Sequence, residues 1–315
     1  MNFLAVSLRA VLPIFLMMMA GYLSRRFHIV TDSDVTRLNS IAFRLFMPIL
    51  LFSNIYNSSI ESAIRPKLLI FGLLGVLTCF FMALALAQLF VRQRNQRGVV
   101  IQGLYRTNPV IIGIPIAGVL AAGADISALA VLIALIVPLF NVLAVICLTI
   151  YRDDTAESIH PLRLAWDIVK NPLIVSSAAG LLFLLAGLKL PSFAESAIKD
   201  LGGACTPVML VALGASLRFD TMKKQLGGLA VVCVVRLLLM PALFLFLAWR
   251  MGFTGVEFIA LMSVFASSTA MASYTMAQQM GGDAELAGNI LFSTSILCPF
   301  TLFFWSMLFH MLGAF

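Results

Sequence analysis

Long apolar stretches separated by short polar connectors make up almost the whole chain. A helix that crosses a membrane needs about 20 mostly apolar residues, and ten stretches meet this length. They are 4–23, 38–56, 68–90, 99–121, 126–150, 166–187, 200–217, 226–249, 256–280 and 284–309. The longest connectors, 24–37 and 151–165, leave no room for a separate soluble domain. The pattern therefore predicts an all-α integral membrane protein with ten transmembrane helices.

Composition and charge agree with lipid as the solvent. Of the 315 residues, 61% are hydrophobic and 11% are charged, whereas soluble domains contain about 45–50% and about 25%. These values exclude an ordinary soluble enzyme, a disordered protein and a typical nucleic-acid binder. The formal net charge is +7, and in a membrane protein such an excess of Lys and Arg sets orientation. Basic residues concentrate in alternate connectors such as 91–98 and 218–225, which are therefore predicted to be cytoplasmic. Both termini then lie outside a plasma membrane, with a bacterial inner membrane as the expected location.

The sequence offers little material for catalysis or for metal binding. It contains no HExxH and no CxxC motif, and its five Cys residues all fall within apolar runs. Buried thiols in such surroundings behave as small hydrophobic groups. No Asp or Glu lies at the centre of a predicted span. We therefore predict that the protein is not an enzyme and uses neither a cofactor nor a metal ion.

Prolines recur along the chain at a nearly constant offset. The pairs are Pro13 with Pro172 and Pro48 with Pro207, both 159 residues apart, and Pro138 with Pro299, 161 residues apart. The turn at 123–125 matches the turn at 281–283 in the same way. This spacing predicts two five-helix repeats, 1–158 and 159–315. Because five crossings turn the second copy upside down, the repeat is inverted, as in many secondary transporters.

The fourth and ninth spans have unusual centres. In the fourth, Asn108-Pro109 is followed by Gly113 and Pro115, and a helix cannot run cleanly through such a segment. The ninth carries small and hydroxylated residues at 267–274, which helix packing alone could also explain. The repeat pairs the two spans and favours two broken helices that cross at the midplane around a wet pocket. Half-helix N-termini attract anions there, and carbonyl ends attract cations.

Residues at this crossing, together with polar residues at membrane depth, are the candidate substrate-binding residues. They are Asn108, Pro109, Gly113, Pro115, Ser267, Ser268, Thr269, Ala272, Ser273, Asn141 and Arg236. Arg236 could bind a substrate carboxylate through its planar guanidinium or hold backbone carbonyls of the broken helix, and both interpretations stay open. Arg106 lies near the start of its span and is interpreted as snorkelling to the membrane surface.

Several motifs at these positions resemble those of the auxin efflux carrier family, which includes plant PIN-type and bacterial malonate-type carriers. The strongest are Asn108-Pro109 with Gly113-Ile114-Pro115, and Ser273-Tyr274-Thr275-Met276-Ala277 with Gly281-Gly282-Asp283. The resemblance implies a ten-helix carrier for organic anions. It also implies a scaffold of spans 1, 2, 6 and 7, and a moving transport part of spans 3–5 and 8–10.

The chain departs from this family at two positions of the ninth span. Ser268 stands where members often carry a proline, and Ala272 where some carry an asparagine. The departure predicts that the ninth helix is less sharply broken here than in family members that carry the proline. It also puts a substrate contact from the second repeat in doubt.

The function predicted from these observations is secondary active transport of a small organic anion, such as a carboxylate, by alternating access. The alternative is a sodium-coupled organic-anion symporter of the bile-acid type. The expected partners are the organic anion and the lipid bilayer, and no nucleic acid. Coupling to protons, to sodium or to the membrane potential stays open, as does pairing of the carrier into a homodimer.

Overall fold

The structure is a computed structural model that describes residues 3–57, 65–121, 124–152, 166, 170–217 and 225–315. Within these ranges the chain forms twelve helices, and the one extended pairing is a single isolated bridge. The helices are α1 Phe3–Arg26, α2 Asp32–Tyr56, α3 Pro66–Phe90, α4 Arg94–Tyr105, α5 Pro109–Leu120, α6 Ser127–Ile150, α7 Pro172–Leu185, α8 Ser192–Ser216, α9 Leu226–Arg250, α10 Gly255–Phe265, α11 Ala272–Gln279 and α12 Ala284–Met311.

The length and the apolar composition of the helices indicate a multi-pass membrane protein. Six of the described helices are long and apolar enough to cross a membrane, namely α2, α3, α6, α8, α9 and α12. Three more, α5, α7 and α10, are apolar but shorter. The predicted all-α class is confirmed over the described residues.

Three helices begin at least five residues earlier than the apolar pattern predicts. The helix α2 begins at Asp32 rather than at 38, α4 at Arg94 rather than at 99, and α8 at Ser192 rather than at 200. The first turns of these helices are polar, so a hydropathy count does not detect them. In α2 the first turn is stabilised by a capping box between Thr31 and Asp34. The predicted span at 166–187 appears as α7, with 167–169 outside the described residues. The turn predicted at 123–125 also lies partly outside them.

Three helices contain a π-helical turn just ahead of a proline. The turns and prolines are Ala42–Phe46 before Pro48 in α2, Pro109–Gly113 before Pro115 in α5, and Val235–Leu239 before Pro241 in α9. A proline lacks the backbone N–H and its ring presses on the preceding turn. That turn widens so that its carbonyls find other donors.

The helices pack in two groups. In the first, α1 packs on α8, and α2 packs on both α7 and α8. In the second, α3, α4 and α6 pack on one another, α9 packs on α10 and α12, and α11 packs on α12. The groups meet where α1 contacts α5 and α12 and where α2 contacts α11. This interface is where the candidate site lies.

The first group depends on a close approach of two helices through glycine. A Cβ atom built on Gly214 of α8 would lie 1.9 Å from the Met18 carbonyl oxygen of α1. A Cβ on Gly21 of α1 would lie 2.0 Å from the Val211 oxygen of α8. Small residues at these points let the two backbones touch, which is how membrane helices associate where no water can drive them together.

Candidate substrate site

The two interrupted spans pair with each other at their breaks. The chain leaves helical geometry between α4 and α5 and again between α10 and α11. Thr107 and Thr269 form an antiparallel bridge there. The Asn108 amide donates to the Ser268 carbonyl at 2.9 Å, and the Ala270 amide donates to the Arg106 carbonyl at 3.1 Å. Backbone groups freed by the breaks thus satisfy one another inside the bundle.

Proline chemistry explains the first break. Pro109 cannot donate a backbone hydrogen bond and disfavours helical geometry at the preceding residue. Asn108 accordingly has φ −112° and ψ 65°, and its Oδ1 accepts the Ile111 amide at 3.4 Å as α5 begins. A Cβ on Gly113 would lie 2.9 Å from the Ser263 oxygen of α10. The glycine therefore lets α5 pack against α10.

The second break contains no proline and is held open by neighbouring side chains. It extends over Ala266–Met271, between the end of α10 and the start of α11. Thr269 donates through Oγ1 to the Gly103 carbonyl of α4 at 2.9 Å. Arg236 donates through Nη2 to the Ser267 carbonyl at 2.6 Å. These bonds replace those that a continuous helix would make.

The ninth span is interrupted although it lacks a proline at this position. Ser268 stands in the place of a proline, yet the helix is interrupted for longer here than in the fourth span. The Ser268 carbonyl is an acceptor in the backbone pairing across the crossing. Hydrogen bonds to other helices can thus stabilise a helix break where the sequence of the helix contains no proline.

A cavity of about 130 Å³ lies beside the crossing, at the interface of the two helix groups. Residues of α2, α5, α6, α8 and the second break line it, and most are apolar. Its polar lining residues are Asn54, Arg106, Thr107, Asn108, Asn141 and Thr206. The N-terminal ends of α5 and α11 both reach it through 109–111 and 270–272. The dipoles of these helices favour negative charge at their N-terminal ends.

Arg106 brings a buried positive charge to this cavity. Its relative exposure is 3%. The guanidinium donates to Asn141 Oδ1 at 2.5 Å and to Gln102 Oε1 at 3.0 Å, and it contacts Met276 Sδ at 2.7 Å. All these partners are neutral. Among the residues that the structure describes, no Asp or Glu forms an ion pair with Arg106. The interpretation of Arg106 as a snorkelling residue is therefore wrong.

Unpaired hydrogen-bonding groups belong to three other residues of the cavity lining. The Nδ2 atoms of Asn108 and Asn141 and the Oγ1 atom of Thr107 are buried and have no partner among the described residues. All three residues line the cavity. Buried polar groups are nearly always hydrogen-bonded. The cavity wall therefore presents donors that a bound ligand can satisfy.

Arg236 has a different environment. It is wholly buried, and a hydrogen bond joins it to the Ser267 carbonyl at the second break. Its Nε and Nη1 atoms have no partner among the described residues. It does not line the cavity. Of the two interpretations left open by the sequence, this geometry is that of an arginine that holds carbonyls of the broken helix.

Four of the eleven predicted site residues line the cavity, and the other seven do not. Those that line the cavity are Asn108, Pro109, Asn141 and Ala272. Those that do not are Gly113, Pro115, Ser267, Ser268, Thr269, Ser273 and Arg236. The residues that sequence reasoning missed are Arg106, Thr107 and Thr206. For Arg106 a signal was present, because it lies two residues before the Asn108-Pro109 break.

Paired helix interruptions within an apolar helical bundle, with a cavity beside them that carries a few polar groups, are typical of membrane transporters. The chain belongs to the membrane transport protein family (Mem_trans), whose sequence profile matches residues 6–306. The predicted resemblance to auxin efflux carrier-like proteins is thereby confirmed. The protein is a membrane transporter rather than an enzyme.

Two archaeal transporters are similar over nearly the whole chain. An uncharacterized transporter of Methanothermobacter thermautotrophicus is 21% identical over 306 residues, which cover 96% of this chain and 98% of that protein. An uncharacterized transporter of Methanocaldococcus jannaschii is 21% identical over 311 residues, which cover 95% and 98%. These relatives share the transporter class with this chain.

Proposed function

We propose that the protein is a secondary active carrier that binds a small organic anion, such as a carboxylate, in the crossover cavity and moves it by alternating access. The observation that carries the proposal is the buried guanidinium of Arg106, which lines the cavity without an acidic partner among the described residues.

Electrostatics favours an anion as the missing partner. A charged side chain at the centre of a membrane helix costs about 3 kcal/mol or more unless it is paired or hydrated. The neutral oxygens of Asn141 and Gln102 orient the guanidinium, but they leave its charge in place. A carboxylate matches the planar donor geometry of Arg. The unpaired Nδ2 of Asn108 adds a further donor, and the N-terminal ends of α5 and α11 at the cavity add favourable helix dipoles.

The two helix groups support a moving and a fixed part. We propose that α1, α2, α7 and α8 form the scaffold and that α3–α6 with α9–α12 form the transport part. Because the cavity lies where the groups meet, sliding or rocking of one group against the other would expose it to each side in turn. We further propose that the two parts arise from ten spans in a 5+5 inverted repeat, 1–158 and 159–315.

Orientation and coupling are part of the same proposal. The bias of Lys and Arg places both termini outside, with a bacterial inner membrane as the location. No Asp or Glu lines the crossover cavity, so the described residues offer no carboxylate for a proton relay there. The driving ion is left to experiment, since the sodium-coupled alternative has no additional support.

Uptake of labelled organic acids into proteoliposomes tests the proposal. The wild-type carrier is expected to move at least one acid of a broad panel. The variant Arg106→Gln is expected to lose about tenfold or more in uptake, because hydrogen bonds to charged groups contribute about 1.5–3 kcal/mol. The control Arg44→Gln removes the same charge from an exposed position of α2, and it should keep wild-type uptake.

Two results would contradict the proposal. One is a panel of acids that shows neither flux nor binding. The other is unchanged uptake by Arg106→Gln at equal reconstitution. Repeating the assay with and without sodium, and with a proton uncoupler, separates the sodium-coupled alternative from proton coupling and from uniport.

A further inference from the structure

A second, larger cavity of about 640 Å³ lies away from the crossing, between α3, α4 and α9. It shares no lining residue with the crossover cavity. On α4 its wall is formed by Gln96, Val100 and Leu104, which are four residues apart and lie on one helix face. On α9 a comparable stripe begins at Gly228 and ends at Val235. The cavity is therefore a groove between helices, which we call the α3–α4–α9 groove.

The length of this groove matches one leaflet of a bilayer. It begins beside Gln225, at the start of α9, and reaches Val235. Ten residues at 1.5 Å rise make about 15 Å, and half of a typical hydrocarbon core is also about 15 Å. The walls along this length are apolar, and Val231 is 61% exposed. At this depth, the hydrocarbon core of the bilayer consists of lipid acyl chains.

The end of the groove that lies nearest the membrane surface carries polar and positive groups. Arg92, Gln93 and Gln96 line it there, where α3 has ended and α4 begins, and Gln225 lies at the start of α9. Arg92 is exposed and forms no ion pair with any described residue. A basic residue at the membrane surface attracts anionic lipid head groups.

We propose that the α3–α4–α9 groove is a binding site for one anionic phospholipid. The phosphate lies at Arg92, the ester region at the glutamines, and an acyl chain lies along Val100, Leu104 and Val231. This inference does not depend on the anion proposed for the crossover cavity, because the two sites have separate walls.

Glycines of α9 provide a direct test. A Cβ built on Gly228 meets no atom within 4 Å, so Gly228→Leu should fill the groove without disturbing the fold. Gly227 is equally open and does not line the groove, which makes Gly227→Leu the matched control. For the head group, Arg92→Gln is compared with Arg250→Gln, an exposed arginine at the other end of α9.

Native mass spectrometry of the full-length protein, with phosphatidylglycerol and phosphatidylcholine added in equal amounts, measures retained lipid. Wild type should retain phosphatidylglycerol in preference to phosphatidylcholine. Arg92→Gln should lower this preference about fivefold, since one basic residue near the surface contributes about that factor. Gly228→Leu should lose the retained lipid. Both controls should match wild type, and size-exclusion profiles verify that all variants are folded.

Equal retention of the two lipids by wild type would overturn the proposal. So would lipid retention by Gly228→Leu at the wild-type level, because the ligand would then lie elsewhere. A Gly228→Leu variant that loses lipid while Arg92→Gln keeps the full head-group preference would also overturn it, since the site would then recognise only an acyl chain.

Discussion

Asn141 determines how much positive charge the crossover cavity presents. Its Oδ1 accepts from the Arg106 guanidinium, while its Nδ2 has no partner among the described residues. As a neutral amide it orients the guanidinium and leaves the charge uncompensated. An acidic residue in its place would hold the same geometry and cancel the charge.

In the variant Asn141→Asp, the new carboxylate is therefore expected to compete with the substrate for the Arg106 guanidinium. A carboxylate at this position would form an internal ion pair with Arg106 and weaken anion binding. We expect the KM for the transported acid to rise about tenfold or more, which corresponds to about 1.4 kcal/mol. The measurement is concentration-dependent uptake in proteoliposomes.

The control for this prediction is Asn57→Asp, which makes the same charge change at an exposed position. Its KM should equal that of wild type. A wild-type KM for Asn141→Asp would show that the charge of Arg106 does not act on the substrate.

The depth of Arg106 illustrates what residue patterns alone do not reveal. A span counted from residue 99 places Arg106 close to the membrane surface. The helix α4 begins at Arg94, so Arg106 lies twelve residues beyond its start, about 18 Å at a helical rise. The polar first turn of α4 masks this start. Asn108 and Asn141 were predictable, because each is a polar residue beside a proline-disturbed segment.

Among the helical elements, the second break is stabilised differently from the first. A proline next to Asn108 enforces the first break, and this is visible in the sequence. In the second break, Ser267 accepts a hydrogen bond from Arg236 of α9, and Thr269 donates to Gly103 of α4 and to Thr294 of α12. Such long-range partners cannot be deduced from the local composition, so the extent of the second break could not be predicted.

Thr269→Val is expected to weaken the second break. The change keeps the side-chain shape and removes the hydroxyl that donates to the buried Gly103 carbonyl. Leaving a buried acceptor unpaired costs about 1–3 kcal/mol. The unfolding free energy in detergent should fall by this amount, and uptake should fall with it.

A matched control is available on α3. Thr78 donates to the Leu74 carbonyl of its own helix, and that position is exposed. Thr78→Val should leave stability within about 0.5 kcal/mol of wild type. Equal stability of both threonine variants would mean that the second break does not need Thr269.

Across the whole molecule, the contacts within the first helix group differ from the contacts between the two groups. The first group has backbone contact between α1 and α8 at Gly214 and Gly21. Between the groups, polar contacts join α2 to α11, where Asn39 bonds to Tyr274 at 3.4 Å and to Thr275 at 3.3 Å. The first group is thus held by direct backbone contact, whereas side-chain hydrogen bonds join α2 to α11 between the groups.

Gly214→Ala is expected to destabilise the first group. Its methyl group would overlap the Met18 carbonyl, and overpacking of this kind costs about 1–3 kcal/mol. The midpoint of thermal unfolding in detergent should fall. Gly203→Ala on the same helix meets open space and should leave the midpoint unchanged or slightly raised. Equal midpoints for the two variants would contradict the close approach of α1 and α8.

A reversible crosslink tests movement between the groups. In the double variant Asn39→Cys with Thr275→Cys, oxidation is expected to join α2 to α11 and to stop uptake. Reduction should restore it. Each single cysteine variant, treated with the same oxidant, should keep its uptake. Full transport by the crosslinked protein would show that these helices do not separate during the cycle.

The antiparallel bonds between Arg106, Asn108, Ser268 and Ala270 have a mechanical consequence. A slip of one residue in this short ladder would turn every side chain to the opposite face, so the register of the two segments is fixed. In the proposed transport cycle, the two interrupted segments would therefore move together as one unit, and the bound anion would move with them.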